Sequence, residues 1–335
     1  MRIAVLHDRL QAAGALPVHE ARVLRAWTRG LPIAGAAGTP EYPSRLKALL
    51  PGLSDQLQGL ARVRSAHRGA DGSVRLLIGL GAGQSVETVL LPPNGVCIST
   101  QVGCAVGCVF CMTGRDGLIR QLGSAEIVAQ VVLARARQAV RKVVFMGMGE
   151  PAHNLDNVLE AIHLLGTEGD IGHKNLVFST VGDRRVFERL PGGPVKPALA
   201  LSLHTTDPEL RSQLLPRAPR IDPAELVELG ERYARATTYP IQYQWTLLAG
   251  VNDGDDELDR IVTLLKGKYA VLNLIPYNTV DGLDFQRPSW ERAAAMARYL
   301  HQRGVLTKLR RSAGQDVEGG CGQLRARSPT VADGG

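Results

Sequence analysis

The stretch GVCISTQVGCAVGCVFC, residues 95–111, contains four of the five cysteines of this 335-residue chain. Its first half is rich in apolar and β-branched residues, which predicts a buried strand. Its second half carries Cys104, Cys108 and Cys111 in the spacing C-x3-C-x2-C, on a loop between this strand and the next helix. The fifth cysteine, Cys321, lies 210 residues after Cys111. The stretch therefore predicts the strand, loop and helix that begin the main fold.

The same alternation continues toward the end of the chain. From residue 94 onward, short apolar runs alternate with segments of helical period. The runs after VCISTQV (96–102) are KVVFMGM (142–148), NLVFSTVG (175–182), ALALSLH (198–204), YQWTLLAG (243–250), VLNLIPYN (271–278) and LTKLRRS (306–312). Such a pattern is typical of a parallel sheet with right-handed crossovers. It predicts an α/β fold of six βα units that form a barrel or part of one. A doubly wound open sheet is the alternative, because periodicity does not show closure.

Both architectures bind ligands at the carboxyl ends of their strands. Four segments rich in glycine or polar residues occur at such ends in this chain. They are GMGEP (147–151), STVGD (179–183), SLHTT (202–206) and PYN (276–278). We therefore expect the functional site at this edge of the sheet.

The beginning of the chain has a different pattern. Residues 1 to about 60 have helical periodicity, with candidate helices at 17–30 and 42–60. Residues 62–92 contain three strand-like runs separated by the turns GADGS and GAGQ, which predicts a small antiparallel meander. The predicted organisation is an accessory region at 1–93, a core domain at 94–326 and a disordered tail at 327–335.

The composition indicates an ordinary globular protein. The chain is 44% hydrophobic and has a net charge of +7. Its apolar runs are shorter than the roughly 18 residues that a membrane span needs, and its N-terminus lacks the pattern of a secretory signal. These features predict a cytoplasmic protein with no membrane partner. The excess of Lys and Arg is compatible with RNA as a partner, because cations that neutralise phosphates release counterions; a basic surface without such a partner is the alternative.

Clustered cysteines in a reducing compartment indicate metal binding or thiol catalysis rather than structural disulfides. A structural zinc site usually has four protein ligands, whereas an iron–sulfur cubane held by three cysteines leaves one iron open. Cys104, Cys108 and Cys111 fit the second arrangement. Cys97 as the fourth ligand of a zinc site is an alternative, and Cys97 or Cys321 alone could be a buried, inert thiol.

These motifs resemble those of the radical S-adenosylmethionine (SAM) superfamily and, more narrowly, of the RlmN/Cfr-type adenine methyltransferases of ribosomal RNA. The resemblance covers roughly residues 85–326. Its pieces, in chain order, include ETVLLP, CISTQVGCAVGCVFC, VVFMGMGEP, FSTVG, LALSLH, ELRSQLLP, LLAGVND, NLIPYN and RRSAGQDVEGGCGQL. It implies a partial (βα)6 TIM-like radical SAM barrel, preceded by the small helical and β-meander accessory region.

The resemblance also implies a set of cofactor ligands. Cys104, Cys108 and Cys111 would hold one [4Fe–4S] cluster, whose open iron would chelate the amino and carboxylate groups of SAM. Gly149 and Glu150 would position SAM through close backbone approach and through the methionine ammonium. The other positions that match SAM contacts of the family lie at later strand ends: Ser179, Ser202, Leu203, His204 and Asn278.

In this family, the cysteine that corresponds to Cys321 carries a methyl group. It takes the methyl from one SAM, and the 5′-deoxyadenosyl radical from a second SAM abstracts a hydrogen from it. The resulting methylene radical adds to adenine. Glu87 matches the proton acceptor of the family, and Cys97 would release the product by forming a transient disulfide with Cys321. By its sequence context alone, Glu87 is more typical of a solvated strand face.

The implied reaction is methylation of C2 or C8 of adenosine in 23S rRNA, with tRNA as a further candidate substrate. It would require an electron donor such as flavodoxin and a thiol reductant, and the enzyme is expected to be a monomer. Two alternatives remain. One is a radical SAM enzyme of another class, such as a protein-radical generator, and the other is a non-catalytic, zinc-stabilised RNA-binding module.

Overall fold

A computed structural model describes residues 1–35 and 41–326. The predicted tail at 327–335 lies outside these residues. The described strands are β1 (Ala61–Arg68), β2 (Val74–Leu80), β3 (Ser85–Leu91), β4 (Gly95–Cys97), β5 (Gln101–Gly103), β6 (Leu118–Gln121), β7 (Lys142–Phe145), β8 (Leu176–Thr180), β9 (Ala198–Ser202), β10 (Ile241–Leu247), β11 (Ala270–Pro276) and β12 (Thr307–Leu309).

Ten of these strands form one mixed sheet. Strands β1, β2 and β3 pair antiparallel, which confirms the predicted meander, and β3 pairs antiparallel with β4 through Val89 and Cys97. From β4 the sheet continues through β7, β8, β9, β10, β11 and β12, and every one of these pairings is parallel. Since the strand order follows the chain without a reversal, the doubly wound alternative is wrong.

The parallel part of the sheet is open in the described residues, where β12 pairs with β11 alone. The curvature of a partial barrel stays a prediction.

Helices fill the predicted crossovers. The described α-helices are α1 (Ile3–Ala12), α2 (Pro17–Thr28), α3 (Ser44–Gly59), α4 (Ser124–Arg135), α5 (Leu155–Thr167), α6 (Arg184–Arg189), α7 (Pro208–Leu214), α8 (Pro223–Thr237), α9 (Asp255–Leu265) and α10 (Trp290–Gln302). Of these, α4, α5, α6, α8, α9 and α10 connect successive parallel strands, which confirms the six βα units. No helix among the described residues is long and apolar enough to cross a membrane.

The N-terminal helices pack against the core rather than apart from it. The Ile3 amide donates to the Ser124 hydroxyl at 2.7 Å, and Arg135 Nη1 donates to the Thr28 carbonyl at 2.6 Å. Buried apolar side chains of α1, α2 and α3 belong to the same hydrophobic cluster as those of α4 and α5. The accessory region and the barrel helices therefore share one core.

The predicted strand at 96–102 is wrong in one respect, because it forms two strands in different sheets. Between β4 and β5, the Ser99 hydroxyl donates to the Glu87 carbonyl at 2.6 Å and accepts from the Met148 amide at 2.8 Å. β5 then leaves the main sheet and pairs with β6. Residues 104–117, which carry the three clustered cysteines, are the loop of this hairpin.

Substitution of Gly103, the last residue of β5 before that loop, allows a test of this arrangement. Its φ is +76°, and a Cβ there would lie 2.0 Å from the Gly117 carbonyl oxygen. We expect Gly103→Ala to lower the free energy of unfolding by about 2–4 kcal/mol, since it adds a backbone collision to left-handed strain. Gly117→Ala is the matched control: its φ is +74° with no atom within 4 Å, so it should cost only about 1 kcal/mol. Equal losses in urea unfolding would contradict this account.

Candidate active site

A cavity opens at the carboxyl ends of the parallel strands. Its volume is about 920 Å³ including the mouth. Nine of the predicted site residues line it: Cys104, Cys108, Cys111, Gly149, Glu150, Ser179, Ser202, His204 and Cys321. The remaining four, Glu87, Cys97, Leu203 and Asn278, are not among its lining residues.

The three clustered cysteines reach the cavity from a tightly folded loop. A Cβ on Gly114 would meet the Cα of Gly107 at 2.8 Å, so two parts of the loop are in direct backbone contact. The Cys111 amide donates to the Cys108 carbonyl at 3.0 Å. The loop therefore presents three sulfurs to one space.

These thiols are poor ligands until a metal centre binds them. Burial raises the pKa of Cys108 and Cys111, and raises that of Cys104 to about 12. As free groups they are protonated at neutral pH. Since the thiolate is the ligand form of cysteine, metal binding must release these protons.

A buried cation beside the thiols fits an anionic group in the cavity. Arg211 is 4% exposed, and burial lowers its pKa to about 10, while the nearby Cys108 and Glu150 act in the opposite direction. It donates to the Val181 and Ser202 carbonyls. Its Nε has no hydrogen-bond partner among the described residues. Three thiolates around an iron–sulfur cluster would supply negative charge where this guanidinium lies, so the residues present fit such a cluster.

The cysteines do not form a site for a single ion. Within residues 1–35 and 41–326, no three His, Cys, Asp or Glu side chains come close enough together to ligate one metal. Structural zinc needs four ligands at about 2.0–2.3 Å from the ion, whereas cysteines around a cubane bind different irons. The sulfur arrangement therefore favours a cluster over a closed zinc site.

Gly149 and Glu150 follow β7 and line the cavity. Gly149 has a φ of +101°, and a Cβ there would lie 2.5 Å from the Cβ of Gln101, so only glycine fits. The Glu150 carboxylate accepts from the Ala152 and Val181 amides, each at 3.0 Å. Burial nevertheless raises the pKa of Glu150 to about 7. A carboxylate in this environment gains from a cationic ligand such as an ammonium group.

The ends of β8 and β9 supply Ser179, Ser202 and His204. His204 has a φ of +65°, and its Nδ1 accepts from the Thr246 amide at 3.0 Å. Burial, with a smaller contribution from Arg211, lowers its pKa to about 3, so the ring is neutral. It packs edge-on against Phe110 of the cysteine loop, with ring centroids 5.0 Å apart.

Leu203 and Asn278 lie behind the cavity wall. The Leu203 side chain is fully buried in the main hydrophobic core, so only its backbone lies between the lining residues Ser202 and His204. Asn278 Nδ2 donates to the Ser312 hydroxyl at 2.8 Å and to the Cys321 carbonyl at 2.9 Å. Asn278 thus holds the backbone of Cys321.

The segment 314–326, called the C-terminal segment below, returns to the cavity and is fixed at both ends by the meander. Asp71, in the turn between β1 and β2, accepts a hydrogen bond from the Gly314 amide at 2.9 Å. Glu87 on β3 accepts from the Arg325 amide at 2.7 Å and the Ala326 amide at 2.9 Å. The meander therefore positions the part of the chain that contains Cys321.

The middle of the C-terminal segment contacts the cysteine loop. The Met112 amide donates to the Gly322 carbonyl at 2.8 Å, and the Thr113 hydroxyl donates to the Leu324 carbonyl at 2.7 Å. The charge of Cys111 is close enough to Cys321 to add to the effect of burial in raising its pKa. Cys321 therefore lies next to the predicted cluster ligands.

Cys97 lies at the end of β4, near Cys321. Burial raises the pKa of Cys97, and the charge of Cys321 acts in the same direction, so the two thiols lie within the range of an electrostatic interaction. All five cysteines are free thiols, and Cys321 is the most exposed of them. The structure thus brings the two cysteines to the same side of the barrel.

Glu87 is not on a solvated face, so that interpretation of its sequence context is wrong. It is 1% exposed and forms an ion pair with Arg75 of β2. Both of its carboxylate oxygens are engaged, one by Arg75 and the other by the C-terminal segment. Through these contacts Glu87 holds the C-terminal segment in place. Its role as proton acceptor stays a prediction.

Comparisons with known proteins agree with this geometry. The model of the radical SAM superfamily matches residues 98–264. Proteins named probable RNA methyltransferase from Aromatoleum aromaticum and Methylibium petroleiphilum are 75% and 73% identical, over 98% of this chain and 93% and 94% of theirs. The crystal structure of a radical SAM methyltransferase from Sphaerobacter thermophilus is 34% identical, with a TM-score of 0.85 over 98% of both chains.

The chain belongs to the radical SAM superfamily and, within it, to the family of radical SAM methyltransferases. This confirms the predicted superfamily and fold class. Membership implies a [4Fe–4S] cluster and SAM as cofactors, and the cavity supplies three thiols, a carboxylate and a buried cation that suit them.

Sequence reasoning missed Arg211, Arg75 and Asp71. Arg211 occurs in ELRSQLLP, where the sequence gives no sign that this arginine is buried. Arg75 and Asp71 occur in the meander, which the sequence does not connect with Cys321. Their partners lie more than 200 residues away in the chain, and one sequence cannot show such contacts.

His204 should make the folded chain sensitive to acid. Burial lowers its pKa from the usual 6.5 to about 3 in the folded state, so the unfolded state binds more protons between these values. Stability is therefore full above about pH 6.5 and falls as the pH approaches 3, by about 2 kcal/mol between pH 7 and pH 5. His204→Asn tolerates the positive φ and should remove this part of the loss in urea unfolding of the metal-free chain. The same pH dependence in both proteins would refute the assignment.

Proposed function

We propose that this protein is a radical SAM RNA methyltransferase that methylates a ring carbon of adenosine through an S-methylated Cys321. One observation carries the proposal: Cys321 lines the same cavity as Cys104, Cys108 and Cys111, with Cys97 close to it. Adenine C2 and C8 are not nucleophilic toward a methyl donor, so the methyl group must pass through a carrier and be activated there. A thiol beside a radical-generating cofactor meets both needs.

The residues of the cavity divide the work of binding. Cys104, Cys108 and Cys111 would hold the cluster, and the Glu150 carboxylate would accept from the ammonium group of SAM. Ser179, Ser202, His204 and the backbone of Leu203 would line the rest of the SAM site, while Asn278 would hold the Cys321 loop. When bound, the cluster and SAM supply methyl groups and one-electron chemistry.

Cys321 would act as methyl carrier and Cys97 as the resolving thiol. Cys321 would lose its proton and form a sulfur–carbon bond to a methyl group that SAM supplies, with S-adenosylhomocysteine as the leaving group. After the carbon has bonded to adenine, Glu87 would accept the ring proton once its contacts with the C-terminal segment open, and the unpaired electron left by the radical addition would return to the cluster. Cys97 then attacks the Cys321 sulfur: the S–S bond forms, the S–C bond breaks, and the carbon takes the electron pair and a proton. A thiol reductant restores both thiols.

RNA as the substrate is supported by two observations. The relatives that match nearly the whole chain are named probable RNA methyltransferases, and the chain has a net charge of +7, which favours a polyanion. We propose 23S rRNA as the main substrate and tRNA as a further one, with C2 or C8 of adenosine as the target. The enzyme would act as a monomer with an electron donor such as flavodoxin.

Neither alternative function uses all of these features. A zinc-stabilised binding module needs no thiol pair beside the cysteine loop, and its metal site is not formed by the described residues. A protein-radical generator needs neither Cys97 nor Cys321. The proximity of the two cysteines therefore favours methyl transfer through a thiol.

The proposal predicts that substitution of Cys321 and substitution of Cys97 block different steps of the reaction. With anaerobically reconstituted enzyme, Cys321→Ala should keep its iron and abolish methylation, because the carrier is absent. Cys97→Ala should lose turnover but accumulate RNA joined covalently to Cys321, because the adduct cannot be resolved. Mass mapping of adenosines in rRNA and tRNA, from the reaction and from a deletion strain, measures methylation, and denaturing gel electrophoresis of the reaction measures the RNA–protein adduct.

Cys111→Ala, which should lose iron, is the control for cluster assembly. Methylated RNA from the Cys321→Ala enzyme would rule out the carrier mechanism. A deletion strain whose rRNA and tRNA carry every modification of its parent would rule out these substrates.

Arg75 should matter for the position of Cys321 and not for the cluster. Arg75→Gln removes the ion pair with Glu87 and a hydrogen bond to the Val317 carbonyl. We expect faster amide hydrogen exchange in residues 314–326 and at least a tenfold lower rate of methylation, because misplacement of a reacting group by about 1 Å can cost roughly a hundredfold. Iron content should stay unchanged. Arg68→Gln, at an exposed position on the neighbouring β1, is the control, and an unaltered exchange pattern in Arg75→Gln would contradict the positioning role.

A further inference from the structure

A second pocket lies beside the cavity and has a different character. It is lined by Pro276, Arg287, Trp290, Arg310, Arg311 and Gln315, and its volume is about 520 Å³ including the mouth. Three of these side chains are guanidinium groups, and no carboxylate is among the described residues that line it. The pocket is therefore suited to an anionic ligand.

The pocket lies on the same edge of the sheet as the cavity. Successive residues of a strand point to opposite faces, and Ile275 and Tyr277 line the cavity while Pro276 lines the second pocket. Trp290 begins the helix after β11, and Arg311 follows β12, so both lie at the carboxyl ends of strands. The two pockets are thus separated by the end of one strand.

A short chain of hydrogen bonds connects the second pocket to Cys321. Arg287 donates to the Tyr277 carbonyl at 2.6 Å and to the Gln315 side chain at 3.0 Å. Asn278, the neighbour of Tyr277, donates to the Cys321 carbonyl and to the Ser312 hydroxyl. Ser312 directly follows Arg311. A ligand in this pocket would therefore lie close to the thiol that carries the methyl group.

Trp290 and Arg311 form the exposed part of the pocket. Trp290 is 43% exposed, and the Arg311 guanidinium lies over its ring at 4.5 Å from the centroid. In the described part of the chain Arg311 makes no ion pair, and its positive charge is not neutralised by a carboxylate. An exposed indole and a free guanidinium side by side are suited to an RNA strand, since bases stack on aromatic rings while arginine binds phosphates.

We propose that Trp290 and Arg311 bind the nucleotide next to the target adenosine and so hold the RNA strand over Cys321. This inference rests on the proposed function, and it names a specific contact surface for its substrate. Trp290 supplies a stacking surface for one base, and Arg311 supplies a charge for one phosphate.

The chain contains a matched control for this pair. Arg303 lies over the ring of Tyr299 at 3.5 Å from the centroid, toward the other end of α10. Tyr299 is nine positions after Trp290 in the chain, which corresponds to about 14 Å along a helix axis. Arg303→Gln thus removes an equivalent cation–aromatic pair at the opposite edge of the barrel.

The test uses the reconstituted holoenzyme and a short fluorescein-labelled single-stranded RNA rich in adenosine. Anisotropy at several KCl concentrations gives the Kd and its salt dependence. Arg311→Gln should raise the Kd and lower the slope of log Kd against log salt by about 0.7, the value for one phosphate of a single strand. Trp290→Ala should raise the Kd by roughly 5- to 100-fold without changing the slope, and Trp290→Tyr should restore most of the affinity because it keeps a stacking surface.

A second readout separates this inference from the proposed function. S-methylation of Cys321, measured by mass spectrometry without RNA, should be unchanged in Arg311→Gln, in Trp290→Ala and in the control Arg303→Gln. Wild-type binding by both Arg311→Gln and Trp290→Ala would overturn the assignment of this pocket while the methyltransferase function stands. A wild-type enzyme that neither binds nor methylates RNA would overturn both.

Discussion

The site depends on the return of the C-terminal segment to the carboxyl ends of the strands. Hydrogen bonds to the cysteine loop on one side and to the meander on the other connect positions more than 200 residues apart. Each bond is modest alone, at about 1 kcal/mol, yet together they define where Cys321 can lie. Because none of these contacts is local, the cavity with Cys321 in its wall exists only in the completed fold.

Low solvent access gives this cavity its electrostatic character. Burial keeps the thiols protonated and raises the pKa of Glu150 to about 7, while Arg211 lies among them as a cation without a carboxylate partner in the described residues. Such an arrangement is unfavourable by itself and becomes favourable when negative charge enters at the cysteines and positive charge enters at Glu150. Burial of these side chains therefore contributes to the selectivity of the cavity for its cofactors, because it favours binding of groups of opposite charge.

The sequence was most informative where structure is local. Periodicity alone predicted the meander and the parallel βα units, and the spacing of Cys104, Cys108 and Cys111 predicted a shared metal centre. It was uninformative where tertiary contacts decide the outcome. The break after Cys97 depends on the Ser99 hydroxyl, which donates to the Glu87 carbonyl and accepts from the Met148 amide. The burial of Glu87 depends on a segment far along the chain. The order of the strands, which excluded a doubly wound sheet, also follows from pairing that one sequence does not reveal.

The proximity of Cys97 and Cys321 has a consequence for the supply of active enzyme in the cell. Two thiols on the same side of the cavity can be oxidised to a disulfide, and Cys321 is the most exposed cysteine of the chain. In the proposed mechanism a disulfide occupies the sulfur that must accept the methyl group, so an oxidised molecule cannot begin a cycle. The fraction of competent enzyme then follows the thiol redox balance of the cell, and oxidative stress would lower modification of the substrate before any change in protein abundance.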